Sequence, residues 1–192
     1  MKKNLDFYVK RIPNFLNKNI CNKTIKEIKK LKWSQHEFYD VNTKENINRS
    51  GEQELEVSMN MNNDEGIDSK IIMGKLWLAI ESYIKDYNFD WFNSWQGYSR
   101  IRFNRYSKTK KMAEHCDHIH SMFDGQIKGV PILSIVGVLN DNYEGGEFIM
   151  FKNKKIELLA GDLLIFPSNF LYPHRVDPVK KGTRYSYVSW VY

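Results

Sequence analysis

From Gly97 onward the chain breaks into short runs rich in β-branched and aromatic residues, and this rhythm limits the fold more than any other feature. The runs are SRIRFNRYS, MAEHCDH, ILSIVGVL, GEFIMF, KKIELL, DLLIFP, YPHRV and RYSYVSWVY. Turn signals separate several of them: Asn140-Asp141-Asn142, Gly145-Gly146, Lys152-Asn153-Lys154, Gly161-Asp162 and Gly182. So many short strands in series need a closed or double-sheet arrangement, because an open sheet would leave unpaired edges. The expectation is an α+β, mainly β chain: a jelly-roll barrel with N-terminal helices packed outside.

The preceding residues read differently. Thr24 to Leu31 (TIKEIKKL) predicts a short amphipathic helix with Ile25, Ile28 and Leu31 on one side. Ser69 to Tyr87 predicts a longer one, with Ile72, Leu76, Ile80 and Ile84 recurring every four residues and Asp68 or Ser69 as N-cap. Such a stripe is what a helix packed on a sheet requires. Between them, Val41 to Gly66 is polar and rich in Asn, Glu and Gly, the composition of a loop or an irregular hairpin. In a compact domain a stretch of that length is either functional, such as a lid, or disordered.

At 192 residues the chain fits one domain, with residues 1–96 as support and 97–192 as core. No stretch approaches the roughly 18 apolar residues of a membrane span. The basic N-terminus lacks the apolar run and cleavage site of a secretory signal. The two cysteines, Cys21 and Cys116, are too few for a disulfide framework or a four-cysteine zinc site. The expectation is a cytoplasmic protein with free thiols. A net charge of +6 favours an acidic partner and leaves nucleic acid as a less favoured one.

His115 and Asp117 flank Cys116 in a predicted strand, where alternation sends both to one face, about 7 Å apart along the strand. One imidazole and one carboxylate make two-thirds of the 2-His-1-carboxylate set that leaves three positions open on a non-haem iron. The third ligand has to come from a distant strand, and His174 is the sole histidine beyond position 120. Taken alone, His174 reads more readily as a packed core histidine, and His118 and His120 stand near enough to compete with His115.

In the last run, alternation puts Arg184, Ser186 and Trp190 on one face and Tyr185, Tyr187 and Ser189 on the other. An arginine pointing into a barrel is a costly charge unless it grips a carboxylate. Ser186 would add a hydroxyl donor. Arg102, Asn104 and Tyr106 likewise share a face, and a phenol in a pocket can donate to an anion while its ring packs on the wall. Against this stand plainer readings: a strand-end arginine in solvent and an ordinary sheet tyrosine.

Together these residues resemble the prolyl 4-hydroxylase-like branch of the Fe(II)/2-oxoglutarate dioxygenases. The likeness covers roughly Tyr98 to Tyr192. It rests on the tyrosine ahead of the H-x-D, the blocks LNDNYEGGEFIMF and GDLLIFPSNFLYPHRVDPV, and the ending KGTRYSYVSW. The resemblance implies a double-stranded β-helix of the jelly-roll, cupin-like kind with iron inside one mouth. It implies Fe(II) on His115, Asp117 and His174, 2-oxoglutarate on Arg184 with Tyr106 and Ser186, and O2 as the other co-substrate, with ascorbate as a candidate reductant. Trp190 falls where the family places an aromatic lining the site, and Arg102 is assigned with it to the substrate side. The chemistry implied is decarboxylation of 2-oxoglutarate coupled to hydroxylation of a C–H bond. One position departs: many members carry a tyrosine where this chain has Met112.

The expected substrate is a prolyl or other residue in a protein or peptide. A second reading keeps the cofactors and changes the substrate to a free amino acid, small metabolite or nucleobase. A third, non-enzymatic reading is a cupin-like binding module.

Overall fold

The computed structural model describes residues 4–40, 42–59, 69–88, 95, 97–117 and 131–192. The N-terminal half contributes β1 (Lys10–Ile12), α1 (Lys18–Ile28), β2 (Ser34–Gln35), β3 (Phe38–Asp40), β4 (Glu45–Ile47), β5 (Glu56–Met59) and α2 (Ser69–Tyr87). Strands β6 (Arg102–Tyr106), β7 (Met112–His115), β8 (Leu133–Val138), β9 (Glu144–Gly145) and β10 (Phe148–Met150) follow. The chain ends with β11 (Lys154–Ile156), β12 (Leu163–Pro167), β13 (His174–Val176), β14 (Val179–Lys181) and β15 (Arg184–Val191).

Each run singled out in the sequence beyond Gly97 contains a strand. They divide between a seven-stranded sheet, in the order β1-β12-β8-β15-β6-β5-β2, and a four-stranded sheet, β11-β10-β13-β7. Two short antiparallel pairs, β14-β9 and β3-β4, complete the strands of the described residues. Strand β15 runs between β8 and β6, and all eight of its residues are buried. A strand covered on both faces needs apolar or internally satisfied side chains throughout.

The large sheet separates two cores. On its outer face Ile72, Leu76, Ile80 and Tyr83 of α2 and Cys21 and Ile28 of α1 pack on Phe103, Ile135, Ile165 and Tyr187. Each fully buried Ile or Leu there contributes about 1.5–3 kcal/mol. On its inner face Tyr106, Val136, Leu164, Val188 and Trp190 meet Met112, Phe148, Met150 and Val176 of the small sheet.

Helix α1 differs from its expected bounds. It begins at Lys18 because the Asn17 side chain accepts from the Ile20 amide at 2.9 Å and satisfies a free N–H of the first turn. It ends at Ile28, ahead of the expected Leu31. Helix α2 keeps its expected span, with Tyr83 buried on the stripe that Ile72 begins. Its expected cap Asp68 lies outside the described residues. Between the helices, the polar stretch Val41–Gly66 contributes β4, which pairs with β3 just ahead of it (Phe38 opposite Ile47), and β5, which joins the large sheet beside β6. Val41 and residues 60–66 of that stretch lie outside the described residues.

A buried carboxylate ties β1 to the body of the fold. Asp162, 2% exposed, accepts from Arg11 Nε at 2.8 Å and from the amides of Asn14 and Leu159 at 3.0 and 2.9 Å.

Candidate metal centre

His115 closes β7 and His174 opens β13, and the two are direct partners across this antiparallel pair. Cross-strand partners on one face stand close enough for their side chains to touch. Here the two imidazole centroids are 4.3 Å apart. The strand ends at His115, so Asp117 sits on a bend just beyond β7 rather than inside it. From there the Asp117 carboxylate reaches both rings. Its Oδ1 is 3.3 Å from His115 Nε2 and its Oδ2 is 3.7 Å from His174 Nε2.

The orientation of both rings is fixed from behind. His115 Nδ1 lies 2.9 Å from the carbonyl of Ala113, and His174 Nδ1 lies 3.1 Å from that of Tyr172. A carbonyl only accepts, so each Nδ1 carries the proton and each Nε2 lone pair faces the common space. This is the backing that metal-bound histidines show. Ring walls hold the same geometry: Phe148 stacks on His174 at 5.4 Å, Phe166 meets it at 5.0 Å, and Phe38 packs edge-on against His115 at 5.3 Å.

The electrostatics suit a cation. Burial, joined by the neighbouring His115, lowers His174 to about 4, so its ring is neutral at physiological pH. Burial opposes the charge on Asp117, and between two neutral imidazoles that carboxylate lacks, among the described residues, a counter-charge in contact with it, which a bound cation would supply. Among the described residues, His115, Asp117 and His174 form the one group of three or more potential ligands, their ligand atoms within 4.8 Å of one another. Two nitrogens and one carboxylate oxygen converging with no fourth ligand among the described residues fit the set that binds Fe(II) and leaves positions open. His118 and His120 lie outside the described residues.

A cationic group stands at one end of the same space. Arg184 is 1% exposed, its guanidinium 5.0 Å from the Tyr106 ring centroid and its Nη1 donating to Ser186 Oγ at 2.9 Å. Arg184 and Tyr106 are register partners, as are Ser186 and Asn104. The Arg184 Nε is buried without a partner. An unmatched buried donor beside a full charge is what a bound carboxylate would satisfy. Gly146 (φ +66°) makes room for this arginine, since a Cβ there would stand 3.3 Å from Arg184 Cδ. Met112 meets the Tyr106 hydroxyl through its sulfur at 3.9 Å.

Arg102 and Trp190 come together at the other end, with the guanidinium 4.9 Å from the indole centroid. Asn104 lies between Arg102 and Tyr106 on the inner face of β6 and lines the cavity with both. The metal set, Arg184, Tyr106, Ser186, Arg102 and Trp190 thus border one space. Sequence reasoning missed the N-terminal contributors. Phe38 and the buried pair His36 and Glu54, 3.9 Å apart, come from residues between the two helices that carried no sign of a place beside the site. It also missed Phe148 and Phe166, which read there as ordinary strand residues.

Comparisons with known proteins agree with this geometry. Residues 101–192 match the model of the 2OG-Fe(II) oxygenase superfamily. A PKHD-type hydroxylase of Delftia acidovorans is 33% identical over 97 residues, covering 47% of this chain and 42% of the relative. The chain therefore spans less than half the length of the curated relatives it matches. Among solved structures, a prolyl hydroxylase of Trichoplax adhaerens, in complex with a hypoxia inducible factor peptide fragment, superposes with a TM-score of 0.71 at 20% identity. That match covers 96% of this chain and 83% of the other. A viral collagen prolyl hydroxylase from Paramecium Bursaria Chlorella virus-1 gives 0.67 at 16% identity, covering 96% and 94%. At these identities the structural likeness speaks for the fold, a mainly β body with two helices shared with prolyl hydroxylases. The family model falls on the segment that carries both histidines, Asp117 and Arg184, so over residues 101–192 this chain is similar to the 2OG-Fe(II) oxygenase superfamily.

Proposed function

We propose that the chain is an Fe(II)- and 2-oxoglutarate-dependent dioxygenase that hydroxylates a C–H bond of a prolyl or other residue in a protein or peptide. The observation that carries this reading is the convergence of His115, Asp117 and His174 on one space with the buried guanidinium of Arg184, which makes no ion pair with an acid among the described residues. The architecture reads as a single double-stranded β-helix domain, residues 97–192 forming its catalytic core and 1–96 its support. The superfamily match and the PKHD-type and prolyl hydroxylase relatives support the activity and the prolyl substrate.

Each inner-face residue then has a task. His115, Asp117 and His174 hold Fe(II), with the Ala113 and Tyr172 carbonyls keeping both Nε2 atoms aimed at it. Arg184, with Ser186 and Tyr106, takes the distal carboxylate of 2-oxoglutarate through charge-assisted hydrogen bonds. Bound together, Fe(II), 2-oxoglutarate and O2 supply the oxidant for C–H hydroxylation, with succinate and CO2 as co-products and ascorbate as reductant. Phe38, Phe148, Phe166 and Trp190 wall this space with rings and keep water from it. Arg102 and Trp190 face the substrate. The hairpin β3–β4, through Phe38, is the element placed to cover an extended chain, and the net charge of +6 favours an acidic one.

Purified protein given Fe(II), 2-oxoglutarate and ascorbate is expected to form succinate slowly without substrate and to retain iron. If wild type forms no more succinate than Asp117→Ala and holds no iron, the proposal fails. Peptides, amino acids and nucleosides incubated with active enzyme and searched by mass spectrometry for a gain of one oxygen then identify the substrate.

A further inference from the structure

Two arginines border the space between the sheets, and the metal set needs neither. They lie on the same face of the β6–β15 pair, Arg184 opposite Tyr106 and Arg102 opposite Val188. The four-residue step from Tyr106 to Arg102 along β6 is roughly 13 Å at the usual strand rise. Arg184 stands on the Tyr106 side of the metal set. Arg102 stands on the Asp117 side, within electrostatic reach of that carboxylate.

Arg102 is half-buried over the Trp190 ring, and its Nε is buried with no hydrogen-bond partner. No carboxylate among the described residues makes an ion pair with it. Asp117 is engaged by the two imidazoles at 3.3 and 3.7 Å. Glu54 is turned to His36 at 3.9 Å. A second guanidinium, Arg49, lies 4.6 Å over Phe38, which itself packs against His115. A guanidinium desolvated on one edge and left without an anion is arranged for a ligand that brings one. A diacid that joins Arg184 to the metal leaves Arg102 for a different carboxylate.

We infer that the substrate itself carries a carboxylate close to the carbon that is oxidised, and that Arg102, held over Trp190, receives it. This rests on the iron and 2-oxoglutarate chemistry of the oxygenase reading above and admits a free acid beside its peptide substrates. The substrate is a free amino or carboxylic acid, or a peptide with an acidic side chain beside the target residue. Both present the same planar anion, which the guanidinium fork matches.

The test uses the full chain loaded with Fe(II) and 2-oxoglutarate under nitrogen, so that binding is read without turnover. Two pairs of probes are titrated by calorimetry: L-proline against L-prolinamide, and terminally blocked Ala-Pro-Asp-Ala against Ala-Pro-Asn-Ala. One acid is expected to bind roughly 10- to 100-fold more tightly than its amide. Arg102→Gln should erase that difference, and Arg102→Lys should keep part of it. The first pair reports a free acid and the second an acidic side chain. Acids that bind no better than their amides in both pairs overturn the inference, as does a preference that survives Arg102→Gln. So does an Arg102→Gln variant that loses 2-oxoglutarate affinity as far as Arg184→Gln does, because Arg102 would then serve the co-substrate. Failure of the oxygenase reading is seen separately, as wild-type protein that holds no iron and forms no succinate.

Discussion

Gly137 on β8 is the register partner of Tyr187 on β15, and a Cβ on Gly137 would stand 1.9 Å from the ring carbon Cζ of that tyrosine. The ring is fully buried in the helix-side core and has nowhere to withdraw. Gly137→Ala is therefore expected to destabilise the chain by about 1–3 kcal/mol through overpacking. The Tyr187 hydroxyl is buried without a partner, so Tyr187→Phe should be neutral or stabilise by up to ~1 kcal/mol. Urea unfolding midpoints of the two variants decide both points.

Asp162 is satisfied by Arg11 and two backbone amides while almost wholly buried. Removing the carboxylate leaves three donors unmatched, whereas removing the half-exposed arginine lets water reach the acid. Asp162→Ala should cost about 2–4 kcal/mol and Arg11→Ala clearly less. Equal losses in chemical unfolding would mean that the amides contribute nothing.

Stability should fall on mild acidification. His36 is lowered to about 3, first by burial and then by Arg102, against an ordinary value near 6.5. The unfolded chain takes up a proton here that the folded chain refuses. The stabilisation is complete above pH 6.5 and is lost as pH drops toward the folded value. Roughly 2 kcal/mol should disappear between pH 7 and pH 5. His36→Asn should flatten that part of a stability-against-pH curve measured by urea titration; an unchanged slope would assign the acid sensitivity elsewhere.

Arg184→Gln is expected to weaken 2-oxoglutarate binding roughly 10- to 100-fold. Tyr106→Phe should weaken it only a few-fold, because the phenol is a neutral donor that leaves a sulfur contact to reach the ligand. Calorimetric titration under nitrogen, with iron content measured alongside, ranks the two. A Tyr106→Phe loss equal to that of Arg184→Gln would contradict this division of roles between the charge and the phenol.

The outline of the site was legible because side-chain alternation is local. Period two on β6 and β15 places Arg102, Asn104 and Tyr106, and Arg184, Ser186 and Trp190, on shared faces wherever the strands end up. Turn residues likewise marked the strand breaks beyond Gly97. The helical periodicity of Ile72, Leu76 and Ile80 marked the face that covers the sheet.

What the amino-acid order could not express is which strand lies beside which. The pairing of β7 with β13 makes His115 and His174 neighbours, and it depends on the packing of the whole small sheet rather than on either segment. Asp117 reaches both imidazoles from the bend after β7, beyond the strand in which alternation placed it. Phe38 and His36, just ahead of the polar stretch, and Glu54 within it reach the site only because β3–β4 and β5 fold back beside it. The sequence by itself determined the faces and the chemical types. The tertiary structure decided the distances, and so which arginine meets the metal set from the Tyr106 side and which from the Asp117 side, because register between strands far apart in sequence is set by the shared core and not by any one strand.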